Sequence, residues 1–329
     1  MRQVRSRRAP TGPSPFRVEA PPLLPAKFTD PLVTAKGEER ARVPFVRLAT
    51  LWFNTGTLCN LACTSCYIES SPTNDALVYL TAAEVERFLD EEAALGCATR
   101  EIGFTGGEPF LNREFPTMLT LALERGHEAL VLTNAMKPMR RYEGALLAMR
   151  DRFGGRLTLR VSLDHHSAQV HEAERGPMSW APALDGLRWL SDHGFSIAVA
   201  GRRFGTESDA DARAAYATLF AESGIAIDAS DPFRLVLFPA MDATADVPEI
   251  TTACWGILHQ SPADLMCATS RMVVHRRGEP RARVAACTLL PYQPGFDLGD
   301  TLAEALRPVS LNHPHCARFC VLGGASCSG

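Results

Sequence analysis

Three cysteines within eight residues, in Cys59-Asn60-Leu61-Ala62-Cys63-Thr64-Ser65-Cys66, constrain this chain more than any other feature. A loop of that spacing can wrap one face of a metal centre and bring each sulfur to a different point on it. In a reducing compartment, clustered cysteines bind metal rather than pair as disulfides. The basic start, Met1 to Pro10, is followed by no apolar stretch of the kind a secretory signal carries, so the expected location is cytoplasmic. No apolar run is long enough to span a bilayer. A net charge of -3 gives no bulk attraction to nucleic acid or to an anionic membrane.

The setting of the loop comes from the pattern around it. Residues 46–54 form a continuous apolar run and predict a buried strand. Thr81 and Glu84 form a capping box that opens a helix with Val85, Phe88 and Leu89 on one face, ending at Gly96. Further strands are expected at 100–107, 128–133, 156–164, 195–201 and 233–238, with helices at 113–125, 138–152, 179–193 and 208–222. This alternation predicts an α/β fold with a parallel sheet, curled into a partial (β/α)6 TIM-like barrel. In such a barrel the chemistry sits at the C-terminal strand ends. Residues 1–45, rich in proline over 9–26, are expected to be a largely disordered arm. Residues 46–245 form the core domain, and 246–329 form a small hairpin-plus-helix extension whose hairpin turns at Gly278-Glu279-Pro280.

The cysteine loop follows the first expected strand. Three thiolates on a four-iron cube leave one iron open, and an open coordination position is a place for a reactive ligand. A zinc knuckle and a redox dithiol are the competing readings of the same spacing. Gly106-Gly107-Glu108 follows the second strand on the same rim. Its glycines let backbone approach a ligand closely, and its carboxylate can accept hydrogen bonds from a cationic amine.

With both motifs in place, the chain resembles the radical SAM superfamily, whose signature is Cys-x3-Cys-x2-Cys after the first strand and a Gly-Gly-Glu motif after the second. The resemblance implies a 4Fe–4S cluster on Cys59, Cys63 and Cys66, with S-adenosylmethionine (SAM) chelating the open iron. It implies SAM contacts from Gly106, Gly107, Glu108, Asn134, Ser162 and Arg175, with Arg175 paired to the SAM carboxylate. It implies reductive cleavage of SAM to a 5′-deoxyadenosyl radical that abstracts a substrate hydrogen atom. The residue before the third cysteine, aromatic in many members, is Ser65 here, and Tyr67 follows the motif.

Asp164, His165 and His166 lie beyond the fourth strand and are candidate catalytic residues, with proton transfer near neutral pH as their task. The tail resembles the SPASM and twitch extensions of the same superfamily. That likeness implies one auxiliary 4Fe–4S cluster on Cys267, Cys287 and two of Cys316, Cys320 and Cys327, with Cys254 as a further ligand or a buried thiol. A zinc site is the competing reading. The expected partners are a flavodoxin- or ferredoxin-type electron donor and a small-molecule or peptide substrate. Residues 1–45 are too few for a peptide-recognition domain, which favours a small molecule. A peptide maturase working with a separate recognition protein is the alternative, and a non-catalytic iron–sulfur or zinc protein is the reading from another class.

Overall fold

A computed structural model describes Pro10 and residues 12–326. The basic first nine residues and Cys327 lie outside the described residues. One mixed sheet dominates. Its strands are β1 (Thr50–Asn54), β2 (Glu101–Thr105), β3 (Glu128–Thr133), β4 (Leu157–Ser162), β5 (Ser196–Arg202), β6 (Leu235–Phe238), β7 (Ser270–Val274), β8 (Arg283–Ala285) and β9 (Asp297–Gly299). Their order is β9-β8-β7-β1-β2-β3-β4-β5-β6.

From β1 to β6 each strand pairs in parallel with its successor. The strands are apolar over most of their length because helices cover them, and parallel strands need crossovers. The helices of eight residues or more are α1 (Ala82–Leu95), α2 (Phe115–Glu124), α3 (Glu143–Phe153), α4 (Ala168–Arg175), α5 (Trp180–Asp192) and α6 (Asp209–Ser223). The capping box at Thr81 and the left-handed Gly96 bound α1 as the sequence requires. Phe88 of α1 then meets Phe53, which stacks on Phe104 at 5.8 Å in the core.

Four sequence expectations change. First, the hairpin of the extension joins the barrel sheet. Its strand β7 pairs in parallel with β1, and β8 and β9 follow it antiparallel. Second, the arm has fixed structure over 12–45. Arg40 is buried against Glu249 at 2.5 Å, Leu23 bonds the carbonyl of Thr244, and Arg42–Val43 pairs with Val309–Ser310. Proline content lowers the arm's self-pairing, but the extension supplies the missing backbone partners. Third, the expected helix at 138–152 is a short turn, Lys137–Arg140, followed by α3, with a break at Tyr142 where that ring packs on Phe110. Fourth, α4 has no counterpart among the expected elements. It buries only His171 and Glu174, so it carries no apolar stripe.

Candidate functional site

The loop after β1 carries its three cysteines to the C-terminal end of the parallel strands. Cys59 is buried, and Cys63 and Cys66 are half-buried. All three line one cavity of about 1050 Å³, including its open mouth. Backbone N–H groups point at two of the sulfurs, from Leu61 to Cys59 at 3.4 Å and from Ser70 to Cys66 at 3.3 Å. Burial pushes the Cys63 thiol up to about 12, with Arg175 partly opposing it, and burial raises Cys59 further still. A cationic centre is what lets such buried sulfurs ionise. No three sulfurs among the described cysteines lie within 4.8 Å of one another. Tetrahedral zinc, with bonds of about 2.3 Å, would draw its sulfurs to about 3.8 Å. The three thiols of one loop offer the soft donor set that an iron–sulfur cluster takes.

Gly106 and Gly107 line the same cavity, and their lack of side chains serves the cysteine loop first. Gly106 has a φ of +141°, and a Cβ there would meet the Gly56 carbonyl oxygen at 2.6 Å. A Cβ on Gly107 would meet the Leu58 carbonyl oxygen at 2.3 Å. The approach lets Gly107 N–H bond Gly56 at 2.8 Å and Glu108 N–H bond Leu58 at 3.1 Å. The Glu108 carboxylate, expected to meet an amine, points elsewhere. It accepts from the Thr133 hydroxyl at 2.9 Å and the Asn134 N–H at 2.9 Å, and it is not part of the cavity wall. Burial pushes it up to about 7, against the pull of those bonds. Its observed work is to tie the end of β2 to the end of β3.

Asn134, Ser162, Asp164 and Arg175 also line the cavity. The Asn134 amide donates to Asn60 Oδ1 at 2.9 Å and lies 4.0 Å from the Cys59 sulfur. Arg175 ends α4 and donates to Asp164 through Nε at 2.7 Å and Nη2 at 3.3 Å. Arg202, at the end of β5, stands 3.5 Å from the same carboxylate. Burial pushes Asp164 up, but the two guanidinium groups outweigh it and hold the carboxyl at about 2.

His165 and His166 separate from Asp164. Neither lines the cavity. Their ring centroids lie 3.9 Å apart with the planes tilted by 33°, and His166 meets Glu207 at 2.8 Å. The backbone N–H of Ser167 donates to His165 Nδ1 at 3.0 Å, which puts the proton of the neutral ring on Nε2, facing Glu207 at 3.8 Å. Burial and the neighbouring His166 hold His165 down at about 4. The structure therefore places this pair beside Glu207, while Asp164 alone of the three candidates lines the cavity.

The tail forms a second pocket. Cys267, Cys287, Cys316 and Cys320 enclose about 320 Å³, with Leu265, Met266, Phe296, Val309 and Leu311 completing the wall. Burial raises Cys267 to about 11 and Cys316 well above the usual thiol range, the latter also through Cys287 and Cys267. Arg271, fully buried, donates to the Cys267 carbonyl at 2.6 Å. Cys254 does not line this pocket; its sulfur accepts from Thr251 N–H at 3.4 Å. Between Cys316 and Cys320, Phe319 reaches the wall of the first cavity and meets Phe238 at 5.4 Å.

Sequence reasoning did not single out Arg160, Glu174, Arg202 or Phe319. Arg160 and Arg202 sit at strand positions that a count of apolar residues passes over, and Glu174 carries no signal beyond its place next to Arg175. The outward or inward direction of each depends on barrel curvature.

A sequence profile described as "Radical SAM superfamily" matches residues 53–215, about half of the chain. The subtilosin biosynthesis protein AlbA of Bacillus subtilis (strain 168) is 33% identical over 143 residues, which are 43% of this chain and 30% of that protein. The chain spans about a third of the length of the curated relatives it matches. Among solved structures, Streptococcus suis SuiB bound to S-adenosylmethionine superposes with a TM-score of 0.55 at 12% identity, covering 77% of this chain and 63% of that one. Hexahistidine-tagged anSMEcpe with bound AdoMet gives a TM-score of 0.55 at 14% identity, covering 79% and 80%. At such identities the two structures speak for the fold. No helix among the described residues is long and apolar enough to cross a membrane.

Proposed function

Because residues 53–215 make this chain a member of the radical SAM superfamily, we propose that it reductively cleaves SAM and oxidises or rearranges a small molecule or peptide. One observation carries the reading: Cys59, Cys63 and Cys66 share a single cavity with Gly106, Gly107, Asn134, Ser162 and Arg175 at the C-terminal ends of the parallel strands. When bound, a 4Fe–4S cluster and SAM supply one-electron cleavage of the sulfonium C–S bond and a 5′-deoxyadenosyl radical that takes a hydrogen atom from substrate.

The chain's own part is to bind, orient and enclose. Cys59, Cys63 and Cys66 are the proposed ligands, and the Asn134 amide, 4.0 Å from the Cys59 sulfur on the same cavity wall, trims the negative charge on it. Arg175 keeps two of its donors on Asp164 and offers the rest of its fork to a carboxylate. Asp164 holds Arg175 and Arg202 in place as an ionised group at every working pH. Glu108 acts from outside the wall, by fixing the strand ends that carry Gly106 and Asn134. Phe238, Met241, Leu289 and Phe319 give the cavity an apolar side that excludes water from a radical.

Cys267, Cys287, Cys316 and Cys320 are the proposed ligands of one auxiliary 4Fe–4S cluster within a SPASM- or twitch-like region over 246–329. A flavodoxin- or ferredoxin-type protein is the proposed electron donor. The similarity to AlbA, a bacteriocin biosynthesis protein, favours a second reading in which the substrate is a peptide.

The test is anaerobic reconstitution followed by dithionite and SAM. The expected product is 5′-deoxyadenosine, detected by chromatography, and its release should rise with the true substrate. An intact cluster that yields none overturns the proposal.

A further inference from the structure

We propose that Glu174 is the positioning residue of the cysteine loop, and that Ser14 and Arg202 complete its seat. The inference rests on reading Cys59, Cys63 and Cys66 as cluster ligands. Thr64 and Ser65 are the two residues between Cys63 and Cys66, and α4 grips both. The Thr64 N–H donates to the Glu174 backbone carbonyl at 2.9 Å. The Ser65 N–H and hydroxyl both donate to Glu174 Oε1, at 2.8 Å and 2.5 Å. The Ser14 hydroxyl donates to Oε2 at 2.7 Å. Arg202 Nη1 stands 3.9 Å from Oε1 and also donates to the Ser65 hydroxyl. That hydroxyl thus gives its one proton to Glu174 and accepts from Arg202.

Glu174 is fully buried and forms no part of the cavity wall. A carboxylate is kept in such a place only where hydrogen bonds and a cation meet it. Here every partner comes from a different segment: the cysteine loop, the arm and β5. The arm is pinned beside it by Phe16, buried under the Arg202 guanidinium at 5.4 Å and edge-on to Phe204 at 6.3 Å. Fixing both residues between two ligands removes the freedom of the Cys63 and Cys66 side chains to turn away. Glu174 touches no reacting atom, so its effect passes through Ser65 to the sulfurs.

The experiment uses the full chain, reconstituted anaerobically, with Glu174→Ala, Glu174→Gln, Ser65→Ala and Ser14→Ala. Two readouts are taken: the change that SAM produces in the electron paramagnetic resonance of the reduced protein, and the rate at which a chelator removes iron. Loss of an outer partner of a metal ligand costs about 10–100-fold in metal affinity. Glu174→Ala is expected to release iron about tenfold faster and to lose most of the SAM-responsive signal, while the signal indifferent to SAM stays. Glu174→Gln, which keeps a carbonyl oxygen for the Ser65 N–H, should recover much of both. Ser14→Ala should accelerate release about twofold. Should Glu174→Ala fail to fold by circular dichroism, Ser65→Ala and Ser14→Ala decide. Unchanged SAM response and unchanged iron release in the folded variants overturn the inference and leave the functional reading standing. A parent protein with no SAM-responsive signal overturns that reading, and this inference with it.

Discussion

Cys59, Cys63 and Cys66 face a cavity of about 1050 Å³ whose wall also holds Asn134, Ser162, Asp164, Arg175 and Arg202. Cys267, Cys287, Cys316 and Cys320 enclose about 320 Å³ and are otherwise surrounded by aliphatic and aromatic side chains. Both groups use sulfur, and the difference lies in the number of ligands and in the wall. Three sulfurs beside a polar, charged wall leave a coordination position that a polar molecule can complete, with hydrogen-bond partners ready for its other groups. Four sulfurs in an apolar shell, under the proposed reading, would supply a full ligand set with no polar group beside it for a further ligand. The first arrangement suits reaction; the second suits storage or passage of an electron.

The largest effect should come from the first site. Cys63→Ala should reduce 5′-deoxyadenosine formation to background, at least about a thousandfold, since no other residue replaces a missing corner ligand. Chromatography of the anaerobic reaction measures it, and residual turnover within tenfold of the parent would break the contrast. Cys316→Ala should do the opposite. About half of the iron should be lost, because one of two clusters goes, while unproductive SAM cleavage in the absence of substrate continues. Iron analysis beside the same chromatography separates the two, and full iron content would remove the auxiliary site.

Asp164→Asn should destabilise the fold by about 3–5 kcal/mol, because Arg175 and Arg202 then lose their shared buried counter-charge. The pH dependence sharpens this. Asp164 is held at about 2 against an ordinary 3.8, so its ionised form binds fewer protons in the native state than in the unfolded one. Its contribution is therefore fully present above about pH 4 and lost as pH falls toward 2. Denaturant titrations of the parent and the variant should differ by a constant amount above pH 4 and converge near pH 2. A gap that persists at pH 2 would point to packing instead of charge. The smallest effect should be that of Asn134→Ala, which removes the amide's contact to Cys59 together with its bonds to Asn60 and Met136. About a tenfold fall in 5′-deoxyadenosine formation is expected, with iron content unchanged; a rate equal to the parent's would show that the amide serves only Asn60 and Met136.

Much of the fold was legible because it is written in local periodicity. The apolar runs that became β1 to β5 and the capping box of α1 are short-range signals, and each strand fell within a few residues of its expected bounds. The cysteine spacing and the paired glycines were equally legible, since both describe backbone geometry within a few residues. α4 was missed because its buried residues are a histidine and a glutamate, and no apolar stripe marks them. The contacts of Glu108, His165 and His166 were not legible for a different reason. Residue type gives the groups each side chain can offer, but not the direction in which the fold turns it.

The sequence by itself determined an alternating α/β chain, a three-sulfur loop at the first strand end and a cysteine-rich tail. Only the tertiary structure decided which charged groups face the cavity, that β7 extends the barrel sheet beside β1, and that the arm closes on Glu174. Periodicity and spacing act over a handful of residues, where backbone geometry leaves few choices. The partner of a buried charge is chosen instead by packing between segments far apart in the chain: Ser14 meets Glu174 across 160 positions, a distance over which no local pattern carries information.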